Sequence, residues 1–351
     1  MKTTKIILSS LLAMTILGTT IISCKKKKKD EPVASCSDKI KNQGETEIDC
    51  GGPCPACIPD DTEEQKGNSN DETDVSNETD AVVDDASNAL PKQNAGKTDG
   101  ANKWTTPCSA TVDTTTNLKN LQVTITYDGM SCDGKRKRVG TVTITLTDPT
   151  IGNKPKAFSS WKSKGAYLTI EFNLFVTKIS TGKTFKIVGT KKIVNVDGGS
   201  LQEMTTSSPA VTLHITGDVN VTLNDTSAGK WTIDRTRKIQ YVGTDLRVTN
   251  TGGANNIAVS GTSKKGEAFT VSIPTAVVWS KSTCPEIEYK GEKYPKWVPI
   301  SGVKIHKAKK ELTVTFGVDK DGKSVASGCP HGYKLEWVNG KGVAKSLVLP
   351  Y

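Results

Sequence analysis

Val139-Gly-Thr-Val-Thr-Ile-Thr-Leu146 is the stretch that decides the fold of this chain. Val, Thr and Ile are β-branched, and apolar residues alternate with polar ones at period two. That is the pattern of a strand with one buried face. The pattern returns in Leu121–Tyr127, Tyr167–Val176, Val211–Ile215, Val219–Leu223 and Leu312–Phe316. Turn residues punctuate the series at Asp133-Gly134, Thr181-Gly182, Asp197-Gly198-Gly199, Gly252-Gly253 and Asp321-Gly322. No long amphipathic helical pattern intervenes. Short connections between strands demand antiparallel pairing, because parallel pairs need long crossovers. Residues 104–351 are therefore expected to form an all-β domain, an antiparallel meander or elongated sandwich. If it has two halves, they divide near 200–210. A closed outer-membrane barrel is the rival, but it needs apolar bands with aromatic girdles. The frequent Lys, Thr and Gly argue against it.

Working outward from the strands, the charge is unevenly spread. Residues 104–351 hold 34 basic against 19 acidic side chains, +15 net. Residues 58–103 hold 12 acidic against 4 basic, −8 net, with almost no large apolar residues. Such a segment buries too little apolar surface to offset the entropy of ordering, so an acidic disordered linker is expected there. A basic domain attracts polyanions. Its basic runs are Lys135-Arg136-Lys137-Arg138, Arg235-Thr-Arg237-Lys238 and Lys304-Ile-His-Lys307-Ala-Lys309-Lys310. In a strand, Lys135 and Lys137 share one face and Arg136 and Arg138 the other. The plain reading is solvated protection of sheet edges. The acidic linker also has the charge to fold back on this surface, which would weaken binding to anything else.

The best ligand-binding stretch is Tyr289-Lys-Gly-Glu-Lys-Tyr-Pro-Lys-Trp297, in which Tyr289, Tyr294 and Trp297 stand among lysines that include Lys296. Flat rings stack on sugars or bases, and lysines meet anions. The competing reading is a loop whose Trp297 packs on the sheet. For catalysis there is little. His214, His306 and His331 are scattered, and no zinc-protease, nucleophile-elbow or phosphate-loop motif occurs. Asp319-Lys-Asp321-Gly322 lacks the later ligands of an EF-hand and reads as a hairpin turn. Distant carboxylates could still converge as a glycosidase pair. No cofactor is expected.

The N-terminal part reads as an address. Lys2 and Lys5, an apolar stretch from Ile6 to Ile22, and the lipobox Ile21-Ile22-Ser23-Cys24 make residues 1–23 a lipoprotein signal peptide. The apolar run is short and broken for a spanning helix, which needs about 20 mostly apolar residues. Cys24 is thus the expected lipidation site, tying residues 24–35 to the bilayer. Lys25–Lys29 suit a spacer beside anionic headgroups.

Eight further cysteines divide evenly, Cys36, Cys50, Cys54 and Cys57 in one cluster and Cys108, Cys132, Cys284 and Cys329 in the β domain. In an exported chain, even groups favour disulfides. Cys108–Cys132 and Cys284–Cys329 are the expected pairs by proximity, while the three pairings within 36–57 stay open. A closed zinc site is the runner-up there, but the spacing is not that of paired Cys-x-x-Cys knuckles. Asp38, Asn42, Glu45 and Asp49 are oxygen donors that suit calcium. Turn and cap chemistry explains them as well.

Several stretches carry resemblances. Lys29-Asp30-Glu31 resembles the surface-export signal that follows the lipidated cysteine in lipoproteins of Bacteroidetes. That resemblance implies a domain facing the cell exterior, with a periplasm-facing anchor as the alternative. Residues 36–57 resemble small cysteine-rich modules of extracellular bacterial proteins. Ile125-Thr-Tyr-Asp-Gly-Met-Ser-Cys132-Asp-Gly134-Lys-Arg-Lys-Arg138-Val-Gly140 with Thr141–Ile144 is similar to a recurrent Bacteroidetes lipoprotein family. Trp231-Thr-Ile-Asp-Arg235-Thr-Arg237 resembles a second stretch of it. Cys284 to Pro299 departs from that pattern by its length. The resemblance implies a secreted β-rich lipoprotein and transfers no site.

Together these readings predict an outer-membrane lipoprotein acting as a non-catalytic binding module. Its expected ligand is an acidic glycan or other polyanion, and its expected partners are the bilayer, through acylated Cys24, and an acidic polysaccharide or an envelope protein, with no specific nucleic acid. The alternatives are a structural envelope protein without a soluble ligand and, third, a polysaccharide hydrolase.

Overall fold

The structure, a computed structural model, describes residues 36–42, 44–45, 48–49, 52–54, 62–89, 107–113, 121–148, 161–224, 227–263, 265–289, 292–294 and 296–351. Cys24, the Lys29-Asp30-Glu31 signal, Cys50 and Cys57 lie outside them. The chain divides into two compact units, 1–58 and 59–351.

The larger unit is mostly β. Its first strands are β1 (Ala110–Asp113), β2 (Gln122–Met130), β3 (Arg136–Thr147), β4 (Tyr167–Lys178) and β5 (Thr184–Asn195). They are followed by β6 (Val211–Leu223), β7 (Ser227–Val242), β8 (Asp245–Gly252), β9 (Ile257–Thr262) and β10 (Ala268–Ser280). After a small hairpin of β11 (Ile287–Tyr289) and β12 (Glu292–Tyr294) come β13 (Val298–Lys307), β14 (Glu311–Val318), β15 (Gly332–Val338) and β16 (Ala344–Pro350). All but the hairpin belong to one 14-stranded antiparallel meander with two ends, β1 and β16. The sheet runs on through 200–210, where β5 and β6 pair from Asn195↔Leu213 to Phe185↔Leu223.

Period two is borne out along these strands. Val142, Ile144 and Leu146 of β3 are buried, as are Leu168, Ile170, Phe172, Leu174 and Val176 of β4. The segments 211–215 and 219–223, which read as two strands, are one strand bent at Gly217 (φ +156°). Glycine is needed at such points for a second reason. A Cβ at Gly140 would lie 2.2 Å from the Asn173 carbonyl oxygen, and one at Gly189 2.4 Å from that of Asp218. Close backbone approach at these kinks lets the sheet coil.

One expectation fails. Residues 62–89, placed in a disordered linker, form a single helix, α1 (Thr62–Ala89), inside the larger unit. Val75, Val82 and Val83 of α1 join the main core with the inward residues of the sheet. Isolated, the segment would not hold this form, because Asp71, Asp74 and Glu78 stack like charges at successive spacings of three and four residues. The sheet supplies the opposite charges.

Disulfides join Cys108 to Cys132 and Cys284 to Cys329, and in the smaller unit Cys36 to Cys54. No helix among the described residues is long and apolar enough to cross a membrane.

Candidate functional site

Two regions concentrate chemistry, and the first is the interface between α1 and the sheet. Each basic run of the sequence is divided by the pleat. Lys135 and Lys137 point to solvent, while Arg136 and Arg138 turn inward. Arg136 Nε lies 3.3 Å from Glu78 Oε2, and Arg138 pairs with both Glu78 and Asp85, the latter at 3.0 Å. Tyr127 on β2 donates its hydroxyl to Asp85 at 3.0 Å. Lys178 and Lys183, flanking the β4–β5 turn, hold Asp74 at 2.9 and 3.1 Å, and Lys183 also meets Asp71. Arg235 of β7 pairs with Asp80, and Lys304 of β13 with Glu72. Lys183 just before β5 and Lys304 of β13 stand five sheet positions apart, about 24 Å if flat, yet they meet Asp71 and Glu72, adjacent residues of α1. The sheet is therefore curled about α1.

Burial makes these groups interact strongly. Burial pushes the Glu72 carboxyl up, but Lys304 and hydrogen bonds from Lys304 and Ser76 outweigh it and hold the group below its usual range. Arg138 is raised, because Glu78 and Asp85 overcome its desolvation. Burial, with the Asp85 charge, lifts the Tyr127 hydroxyl. Lys191 is wholly buried and donates to Thr79 Oγ1 at 2.6 Å. Desolvation, reinforced by Arg235, lowers it to about 7. His306 stacks on Phe269 with ring centroids 5.2 Å apart and is lowered by burial.

The second region is a cleft of about 440 Å³ lined by Tyr241, Thr244, Leu246, Lys281, Ser282, Cys284, Pro285 and Glu286. The Cys284–Cys329 bond anchors its wall, and Glu286 leads directly into the β11–β12 hairpin. Ser280 at the end of β10 pairs with Val298 at the start of β13, so Lys281 follows and Trp297 precedes a paired position; Lys281 lines the cleft and Trp297 is not among its lining residues. Trp297 is 38% exposed, so its ring is not spent on the core. Lys296 is half-buried. Tyr289 and Tyr294 are placed by backbone only, Tyr289 paired with Glu292 and Tyr294 with Ile287. Sequence reasoning missed Tyr241 of β7 and Lys281 just after β10, which line this cleft although they are 40 positions apart in the chain.

The remaining candidates are accounted for by local bonds. Asp38 accepts from the Ile40 amide and the Asn42 side chain, and Asp49 from the Lys39 amide. Glu45 accepts from the Asn42 amide. These are turn and cap contacts, and no metal-binding group of His, Cys, Asp and Glu occurs among the described residues. Asp319 Oδ1 accepts from the amides of Asp321 and Lys323, a side-chain-capped turn. His214 meets Asp234 at 2.8 Å on the half-exposed side of β6.

No protein-family model, curated protein or solved structure matches this chain.

Proposed function

We propose that this chain is a lipid-anchored extracytoplasmic binding module that takes an acidic glycan in the cleft beside the β11–β12 hairpin. The observation that carries the reading is a cavity of ligand size lined by Tyr241, Lys281 and Glu286, with exposed Trp297 beyond the β11–β12 hairpin into which Glu286 leads. Aromatic rings offer flat apolar faces to sugar rings, Lys281 offers charge to carboxylates, and Thr244, Ser282 and Glu286 offer hydrogen bonds to hydroxyls. The disulfides favour an oxidising compartment, and Cys24 with its upstream signal supplies the anchor.

The α1 interface narrows the choice of site. Arg136, Arg138, Arg235 and Lys304 of the basic runs are already paired with α1, so a polyanion in solution meets the cleft and the outward lysines instead. The test is retention of the full-length chain on an immobilised acidic polysaccharide, compared with Trp297→Ala and Lys281→Ala. The reading expects saturable retention, lost in 0.5 M salt and weakened at least 5-fold by either change, with unchanged melting. Absence of saturable retention on a broad panel sinks it and favours the structural envelope role.

A further inference from the structure

We propose that the basic groove of the sheet is a receptor site for acidic helices, and that α1 is its exchangeable resident, replaceable by residues 62–89 of a second copy of this chain. The inference is independent of the cleft and stands on three observations. The first is complementarity. Asp71, Glu72, Asp74, Glu78, Asp80 and Asp85 meet cations from β3, β7, β13 and the β4–β5 turn region, while Val75, Val82 and Val83 sit in the apolar core between them. That spacing of charges and valines suits a helix. A linear polyanion would match the charge and leave the apolar sockets uncovered.

The second observation is attachment. The disulfides of the larger unit lie within the strands and loops after residue 107, and none among the described residues ties α1 to the sheet. Among the described residues, the contacts that hold α1 against the sheet are non-covalent, and an identical helix from another chain would supply them.

The third is the quality of the seat. Arg235 Nε and His306 Nδ1 are buried without a hydrogen-bond partner, and Lys191 is buried against a hydroxyl rather than a carboxylate. Desolvating this many ions costs nearly what their attraction returns. The ionic belt therefore selects its occupant more than it retains it. Since α1 repels itself when unpaired, ordering is coupled to docking, and a coupled segment leaves its site by local opening. Copies anchored side by side on one membrane would present such helices to each other at high effective concentration.

The test uses the full-length chain in detergent and a fluorescent peptide of residues 62–89. The triple variant Glu72→Gln, Asp74→Asn, Asp80→Asn loosens the resident helix without emptying the groove of cations. The peptide is expected to bind it saturably, at least 10-fold tighter than it binds the unaltered chain. Binding should fall at least 10-fold between 0.05 and 0.5 M salt. A variant that melts cooperatively but ignores the peptide overturns the proposal. Equal binding of polyglutamate overturns its helix specificity, showing a site that reads charge alone. Should the variant fail to fold, hydrogen exchange on the unaltered chain decides. The α1 amides should open at least 100-fold more often than those of β4–β6, and equal protection makes α1 a permanent core element.

Discussion

The groove around α1 and the strands β14–β16 are made of the same alternating sequence and bury opposite things. In β14–β16, Leu312, Val314, Leu335 and Trp337 form an apolar cluster covered by Phe316, Tyr333, Leu347 and Leu349. Around α1, the sheet face carries Val and Ile together with Arg138, Lys191, Arg235 and His306, all buried. The apolar cluster carries no charge that a partner must match. The charged face needs a matching partner, because an unpaired guanidinium in that interior is far costlier than an exposed one. Apolar burial supplies stability without choosing a partner. Charge burial chooses the partner and contributes little net stability.

That contrast can be broken or sharpened by substitution. The largest effect is expected for Glu78→Ala, which leaves Arg138 buried with Asp85 alone. A loss of about 3–5 kcal/mol is expected in denaturant unfolding, and a loss under about 1 kcal/mol would mean the groove is as tolerant as a surface. Leu335→Ala opens a cavity in the apolar cluster and should cost about 2–4 kcal/mol. Its cost should be the same in low and high salt, whereas that of Glu78→Ala should change.

Lys191→Met should act in the opposite direction, stabilising by roughly 1–2 kcal/mol at pH 6 by replacing a buried charge with an apolar chain. The sign follows from the titration. Lys191 is held down to about 7 in the folded chain, against about 10.4 unfolded. Between those values the unfolded chain binds more protons, so wild-type stability rises with pH over that window. The advantage of the methionine is therefore full below pH 7 and shrinks above it, and thermal melts at pH 6 and 9 measure the difference. A constant advantage would remove titration of Lys191 as its source. Glu72 has the other sign. Its lowered carboxyl adds stability above the unfolded carboxylate value, lost as pH falls through the folded one. Glu72→Gln should thus flatten the acid limb of the stability profile. The smallest effect is expected at the cleft, where Trp297→Ala should change stability by less than about 0.5 kcal/mol. A larger loss would make Trp297 a packing residue.

Much of this was legible in the residues. Alternation along Val139–Leu146 and Tyr167–Val176 marks both the strands and their buried face, and short turns make the pairing antiparallel. The inward arginines were half legible. Arg136 and Arg138 share parity with Val142 and Ile144, which puts cations on the apolar face and signals a buried counter-charge. The partner was not legible, because residues 62–89 taken alone have the composition of a disordered chain. The ligand-binding stretch was visible in Trp297 and Lys296, but not its neighbours Tyr241 and Lys281.

By itself, the sequence determined the local matters. These are strand periodicity and the hairpin turns, set by contacts within a few positions along the chain, and the grouping of cysteines and the segregation of acidic from basic residues, set by composition along it. Only the tertiary structure decided that α1 is a helix, that the basic runs are split between solvent and groove, and that a cleft forms beside the hairpin. The physical reason is that helix formation in 62–89 is unfavourable until distant cations neutralise it. The energy that orders the segment resides in strands as far along the chain as Lys304, and no local pattern reports it.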